Sequence, residues 1–150
     1  MSDERPIWQW SASEIATETR AGRLSAGEVT EAALARVGLE AHAARRPGTL
    51  SGGQQSRAAL ARVLVGRQPW VLLDEPFAAL GPALRVEMLE LLGDLAAETG
   101  AGLIMVTHAP DDVRRIAEEV IFVEGGRARA PVPATELLDN PPPELRAYLG

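Results

Sequence analysis

Trp70-Val71-Leu72-Leu73-Asp74-Glu75-Pro76 is the stretch from which the rest of the chain can be placed. Four apolar residues run without interruption and end on two carboxylates and a proline, the pattern of a buried parallel strand. Carboxylates at the end of such a strand stand where ligands sit in open α/β sheets. Downstream, residues 82–98 have helical spacing, and Gly100 and Gly102 punctuate the end of that helix. Leu103-Ile104-Met105-Val106-Thr107 forms a second apolar run ending in His108, and a further helix is expected over 110–118. Val120-Ile121-Phe122-Val123 with Gly125-Gly126 then reads as a strand and a turn. Upstream, residues 52–65 are helical in spacing. Strand, helix, strand, helix, strand is the order of an α/β sheet with right-handed crossovers. The tail from Pro131 carries Pro141-Pro142-Pro143 between two short helical patterns and is expected to wrap the surface.

Residues 1–38 have a different pattern. Ser11-Ala12-Ser13-Glu14 and Ser25-Ala26-Gly27-Glu28 are two capping boxes, each of which starts a helix. Ala21-Gly22-Arg23-Leu24 breaks the chain between them, giving a short helical hairpin. Trp8 and Trp10 are read as packing locally, the usual fate of large aromatics, with partner anchoring as the alternative. The expected division is 1–38 and 39–150.

Composition narrows the chemistry. The chain has 150 residues, 46% hydrophobic and 24% charged, as for a globular domain with a sizeable core. No run approaches the length of a membrane span, and Met1-Ser2-Asp3-Glu4 is acidic where a secretory signal would be basic, so the expectation is cytoplasmic. Cysteine is absent, which removes disulfides and thiolate chemistry, and two histidines, His42 and His108, make a poor zinc site. A net charge of -6 argues against nucleic acid as a partner. All 15 basic residues are arginine. Every mechanism that needs a lysine within these residues is therefore excluded, including a lysine-bearing phosphate loop, Ser-Ser-Lys amidase chemistry and Schiff-base catalysis.

Leu50-Ser51-Gly52-Gly53-Gln54 places two glycines beside a serine at a helix start, where backbone N–H groups and a hydroxyl face an incoming anion. Alone, such a turn is more often a plain helix cap. Asp74 suits Mg²⁺ held through its water shell, and Glu75 suits a base that orients water against a terminal phosphate. The alternative for this pair is a solvated strand end. His108 closes the next apolar run, so the two strand ends can be neighbours.

The series Leu50-Ser51-Gly52-Gly53-Gln54, Val71-Leu72-Leu73-Asp74-Glu75-Pro76 and Val106-Thr107-His108 resembles the signature motif, Walker B motif and switch histidine of ABC transporter ATPases. Phe77-Ala78-Ala79-Leu80-Gly81-Pro82 falls at the D-loop, with Gly81 where that family usually has aspartate, and residues 81–85 most resemble thiamine importer ATPases. The resemblance covers about residues 38–150. It implies a partial P-loop NTPase fold, a parallel sheet with flanking helices preceded by the helical hairpin. It also implies a head-to-tail dimer, with self or another ABC ATPase subunit, beside membrane permease subunits at the inner face of the plasma membrane. Carried over, Ser51, Gly52, Gly53 and Gln54 contact a nucleotide held by a partner, whereas Asp74 supports Mg²⁺, Glu75 is the catalytic base and His108 touches the γ-phosphate of an ATP held by their own subunit's Walker A loop. The Walker A lysine and a Q-loop have no counterpart. Residues 10–32 instead resemble the opening helices of amidase-signature enzymes, without that family's catalytic serine and lysine.

Three readings follow: an ATPase component whose phosphate loop comes from another chain, a non-catalytic module that docks on ABC ATPases, and a recombined fragment without activity. Each leaves the apolar strands short of packing partners. At roughly 25 cal/mol per Å², a few hundred Å² of bare sheet is several kcal/mol, which predicts self-association, partner dependence or cover from the N-terminal hairpin.

Overall fold

The computed structural model describes residues 5–66 and 68–149, without the side chains of Trp8, Ala12, Leu64 or residues beyond 146. Two compact units divide the chain, residues 1–105 and 106–150. The boundary expected at residue 38 falls inside the first.

Both expected capping boxes form. In α1 (Ala12–Arg20) the Ser11 hydroxyl accepts from the Glu14 amide while the Glu14 carboxylate accepts from the Ser11 amide. Ser25 and Glu28 do the same at the start of α2 (Ala26–Arg36). Each box satisfies two of the N–H groups that a helix start leaves without partners. Glu14 also accepts from Arg5 at 2.7 Å, and these bonds, the arginine first and then Ser11, lower its pKa from 4.5 to about 2. Trp10 is half-buried and its indole N–H donates to the Arg5 carbonyl at 2.9 Å, which is local packing; the Trp8 side chain lies outside the described residues.

The hairpin does not close on itself alone. α2 packs on α3 (Gly52–Gly66) and on the 3-10 turn Ile7–Gln9, and α3 packs on α4 (Pro82–Thr99). Val29, Ala33 and Val37 from the first segment, Leu60 and Ala61 from α3, and Met88, Leu89, Leu92 and Leu95 from α4 form the buried apolar set. The four α4 residues recur at i, i+1, i+4 and i+7, one face of a helix. Arg36 at the end of α2 donates to both carboxylate oxygens of Glu98 on α4, at 2.5 and 3.1 Å, tying the first segment to the last helix of the unit. Pro82 opens α4, and Gly100, at φ 68°, closes it in the left-handed region.

β1 (Trp70–Asp74) pairs with β2 (Gly102–Val106) through the α4 crossover. Their burial departs from expectation. Val71 is buried, but Trp70 is 58% and Leu72 73% exposed, so β1 is covered on one side only. A side chain on Gly102 would meet the Trp70 ring at 2.4 Å, so Trp70 lies over Gly102. Because side chains alternate along a strand, Trp70, Leu72, Gly102 and Ile104 share one face, and Ile104 is 53% exposed. Trp70, Leu72 and Ile104 thus stay more than half exposed in the unit that contains the N-terminal helices.

In the second unit, α5 (Pro110–Ile116) ends earlier than expected, and the single strand expected over 120–123 is split. β3 (Glu119–Val120) pairs antiparallel with β6 (Val132–Pro133), and β4 (Val123–Glu124) with β5 (Arg127–Ala128). The third strand thus joins small antiparallel ladders, not the β1–β2 sheet. Gly125 and Gly126 both take positive φ, as a two-residue hairpin turn requires, and the chain reverses there so that β4 pairs with β5. α6 (Ala134–Asp139) packs on α5, β3 and β6 and buries Ala134 and Leu138, while α7 (Pro143–Leu149) buries Leu145. Among the described residues no helix is long and apolar enough to cross a membrane.

Candidate functional site

The Ser51–Gln54 turn begins α3, and every polar group in it can be traced. The Ser51 hydroxyl accepts from the Gln54 amide at 3.3 Å, and the Gln54 Oε1 accepts from the Ser51 amide at 3.0 Å. Ser51, Gly52, Gly53 and Gln54 are therefore a third capping box, S-x-x-Q. It accounts for the first and fourth N–H groups of the helix start. The Gly52 and Gly53 N–H groups between them have no acceptor among the described residues. Ser51, as an acceptor, keeps its hydroxyl proton to give.

The two glycines differ in their surroundings. A Cβ on Gly52 would meet nothing within 4 Å, so the space on its side-chain side is open. One on Gly53 would meet Leu84 Cδ2 at 2.5 Å, so here the missing side chain lets the start of α4 pack against the start of α3. Two unsatisfied N–H groups, a hydroxyl and the positive end of a 15-residue helix suit an anion such as a phosphate. The approach is held by the Leu50 carbonyl, which accepts from the Gln55 side chain at 3.0 Å, and by the 3-10 turn Pro47–Thr49.

Asp74 is the last residue of β1 and is exposed; Glu75 follows it at φ 45°. Glutamate rarely takes the left-handed region, and backbone strain of this kind gathers at functional sites. The Glu75 Oε2 is buried. The Ala78 amide donates to the Glu75 carbonyl at 3.3 Å, and buried Phe77 anchors the loop. Among the described residues no three carboxylates or imidazoles gather as a metal cage. A single carboxylate is still compatible with Mg²⁺, which keeps most of its ligands as water and phosphate.

His108 is exposed and belongs to the second unit. Its loop is held from both sides. Thr107 Oγ1 donates to Asp112 Oδ2 at 3.0 Å and accepts from the Ala109 amide at 3.1 Å. Asp112, 3% exposed, is a buried charged residue of this unit, and the sequence reading missed it. Its signal was only a pair of aspartates in the first turn of a helix. His42 was also missed as a site residue: its Nε2 lies 2.8 Å from the Gln54 side-chain nitrogen.

Comparison with known proteins gives this geometry a context. Residues 5–78 match the sequence model of the ABC transporter family. The thiamine import ATP-binding protein ThiQ of Ruegeria sp. is 59% identical over 123 residues, 82% of this chain and 53% of that protein. The protein of the same description from Cereibacter sphaeroides is 58% identical over 133 residues, 89% of this chain and 46% of that one. The chain thus spans about half the length of these curated relatives. Among solved structures, CbiO1 from Clostridium perfringens, part of the ABC transporter complex CbiONQ, superposes with a TM-score of 0.69 at 28% identity, covering 89% of this chain and 53% of that one. A metal-chelate-type ABC transporter in an inward-facing conformation gives 0.68 at 26% identity, covering 91% of this chain and 57% of that one. The family match begins at residue 5 and so includes most of the segment likened to amidases, a likeness that these comparisons do not support. The chain carries the sequence of an ABC transporter ATP-binding domain and the mixed α/β fold of part of one, and it is similar over most of its length to thiamine import ATPases.

Proposed function

We propose that this chain is the signature-bearing part of an ABC-type ATPase, acting in thiamine import, with its phosphate loop supplied by polypeptide outside these residues. The observation that carries the proposal is the start of α3, where Ser51 has a hydroxyl proton to give and the Gly52 and Gly53 N–H groups have no acceptor among the described residues. The 58–59% identity to thiamine import ATPases supports the substrate class. The absence of lysine in the sequence supports the external phosphate loop.

In this reading the Ser51–Gln54 turn binds the γ-phosphate of ATP held on a partner surface. At a second nucleotide, held by the phosphate loop of its own subunit, Asp74 would hold Mg²⁺ through its water shell, and the ion would supply charge neutralisation of the phosphates. Glu75 accepts the proton of the attacking water, and His108 donates toward the phosphate oxygens. The face formed by Trp70, Leu72 and Ile104 is the seat of the polypeptide that carries the phosphate loop. Permease subunits at the inner face of the membrane complete the assembly, and the division at residue 38 separates the lead-in helices from the part that bears the site. Residues 10–32 add no amidase activity, because the catalytic serine and lysine of that family have no counterpart there.

The test is co-expression with the part of the Ruegeria relative that this chain does not span, followed by an ATPase assay of the purified complex. Hydrolysis that is lost in Glu75→Gln with nucleotide binding kept supports the reading, since that change removes the base and keeps the shape. Hydrolysis that survives Glu75→Gln contradicts the assignment of the base. Stable docking without hydrolysis favours the non-catalytic module.

A further inference from the structure

The Gln54 carboxamide has its orientation determined by chemistry. Its Oε1 takes the Ser51 N–H, an interaction that an NH₂ group cannot make, so the nitrogen faces His42. An amide nitrogen can only donate, so His42 Nε2 must accept and carries no proton. The imidazole proton is then on Nδ1, which is buried without a hydrogen-bond partner among the described residues. His42 is itself held. The Val37 and Leu39 side chains on its approach are 0% and 2% exposed, its amide donates to the Leu39 carbonyl at 2.9 Å, and Arg57 of α3 donates to the Val37 carbonyl at 2.8 Å.

We propose that His42 is a positioning residue for the Ser51–Gln54 turn: by accepting from the Gln54 side-chain amide it anchors the carboxamide at the place where its oxygen closes the capping box on Ser51. A hydrogen-bond chain runs from the Ser51 amide through the Gln54 oxygen, then from the Gln54 nitrogen to His42. Without the imidazole, the Gln54 side-chain nitrogen loses its acceptor, the carboxamide is held only through its oxygen on the Ser51 N–H, and the box opens more readily. The Ser51 amide would then join Gly52 and Gly53 in seeking an acceptor, and the serine hydroxyl would lose its fixed direction. The consequence for ATP hydrolysis rests on the function proposed above; the hydrogen-bond chain does not.

The experiment has two arms. In the ¹⁵N-labelled chain, long-range ¹H–¹⁵N correlations read the His42 tautomer, and the expected result is an unprotonated Nε2 with the proton on Nδ1. His42→Gln, which can place an oxygen acceptor near the same point, is expected to keep the Gln54 side-chain amide resonances in place, and His42→Phe to shift them. A protonated Nε2, or Gln54 resonances indifferent to His42→Phe, overturns the proposal. The tautomer of the unaltered chain decides this arm even where a variant fails to fold. In the co-expressed complex, His42→Phe is expected to lower kcat for ATP hydrolysis about tenfold, as loss of an outer-shell partner does, with KM for ATP held and His42→Gln restoring most of the rate. An unchanged kcat in His42→Phe beside a loss in Ser51→Ala overturns the positioning role and keeps the functional reading. An unchanged kcat in Ser51→Ala removes the functional reading instead.

Discussion

Replacing Leu72 with glutamate probes the open sheet face, because Leu72 is 73% exposed at its centre, between Trp70 and Ile104. Burying a whole leucine side chain is worth roughly 1.5–3 kcal/mol, so covering the exposed part is worth about 1–2 kcal/mol. With no partner present, the apolar surface available to cover it is the same face of a second copy. In a symmetric dimer each change counts twice, giving about 2–4 kcal/mol, or about 30- to 700-fold in the dissociation constant. A carboxylate forced into the contact adds a desolvation cost of the same sign. Sedimentation velocity over a concentration series is the assay, with binding of a hydrophobic dye alongside it. The unaltered chain is expected to self-associate and bind dye; Leu72→Glu is expected to move association to far higher concentration and reduce dye binding. A chain that is monomeric at every concentration, binds no dye and is unaffected by Leu72→Glu would refute the claim that this face seeks cover.

Two further changes test the packing of the first unit. Arg36→Ala removes the two-pronged bond to Glu98 that joins α2 to α4 and is expected to cost about 1–2 kcal/mol, read as a lower midpoint in urea unfolding; an unchanged midpoint would mean the pair contributes nothing. Glu14, lowered to about 2 by Arg5 and Ser11, contributes stability that is fully present above its ordinary 4.5 and is lost as pH falls through about 2. Carboxyl ¹³C titration is expected to show Glu14 ionised well below its ordinary range, and titration near 4.5 would show that the Arg5 bond does not persist in solution.

Elements bounded by local chemistry were legible in the sequence. Ser11 and Ser25 with glutamate three residues on start helices as capping boxes require, and Pro82 and Gly100 bound α4 as their backbone preferences require. Pairing was less legible, because it depends on residues distant in sequence. Val120 and Val123 read as one strand, yet each finds a different partner, and only the course of the returning chain decides which. Apolar alternation hides in a run such as 70–73, where both faces carry the same kind of side chain, so the exposure of Trp70 and Leu72 could not be read from spelling. In the candidate site, the motif residues were visible as letters, while the residues that hold them were not. Nothing in the spacing of His42 or Asp112 announces a bond to Gln54 or Thr107. Glu75 was legible as a carboxylate beside Asp74, but its left-handed backbone was not.

Under the function proposed above, the Ser51–Gln54 turn contacts a phosphate while the phosphate loop that retains the nucleotide lies outside these residues. Calorimetric titration of the purified chain with Mg-ATP, without added subunits, tests that claim most directly. The expected result is no saturable binding, with binding appearing when the polypeptide bearing the phosphate loop is supplied. Saturable micromolar binding to the chain alone would contradict it, and would mean that arginines and backbone amides have built a phosphate cradle within these 150 residues.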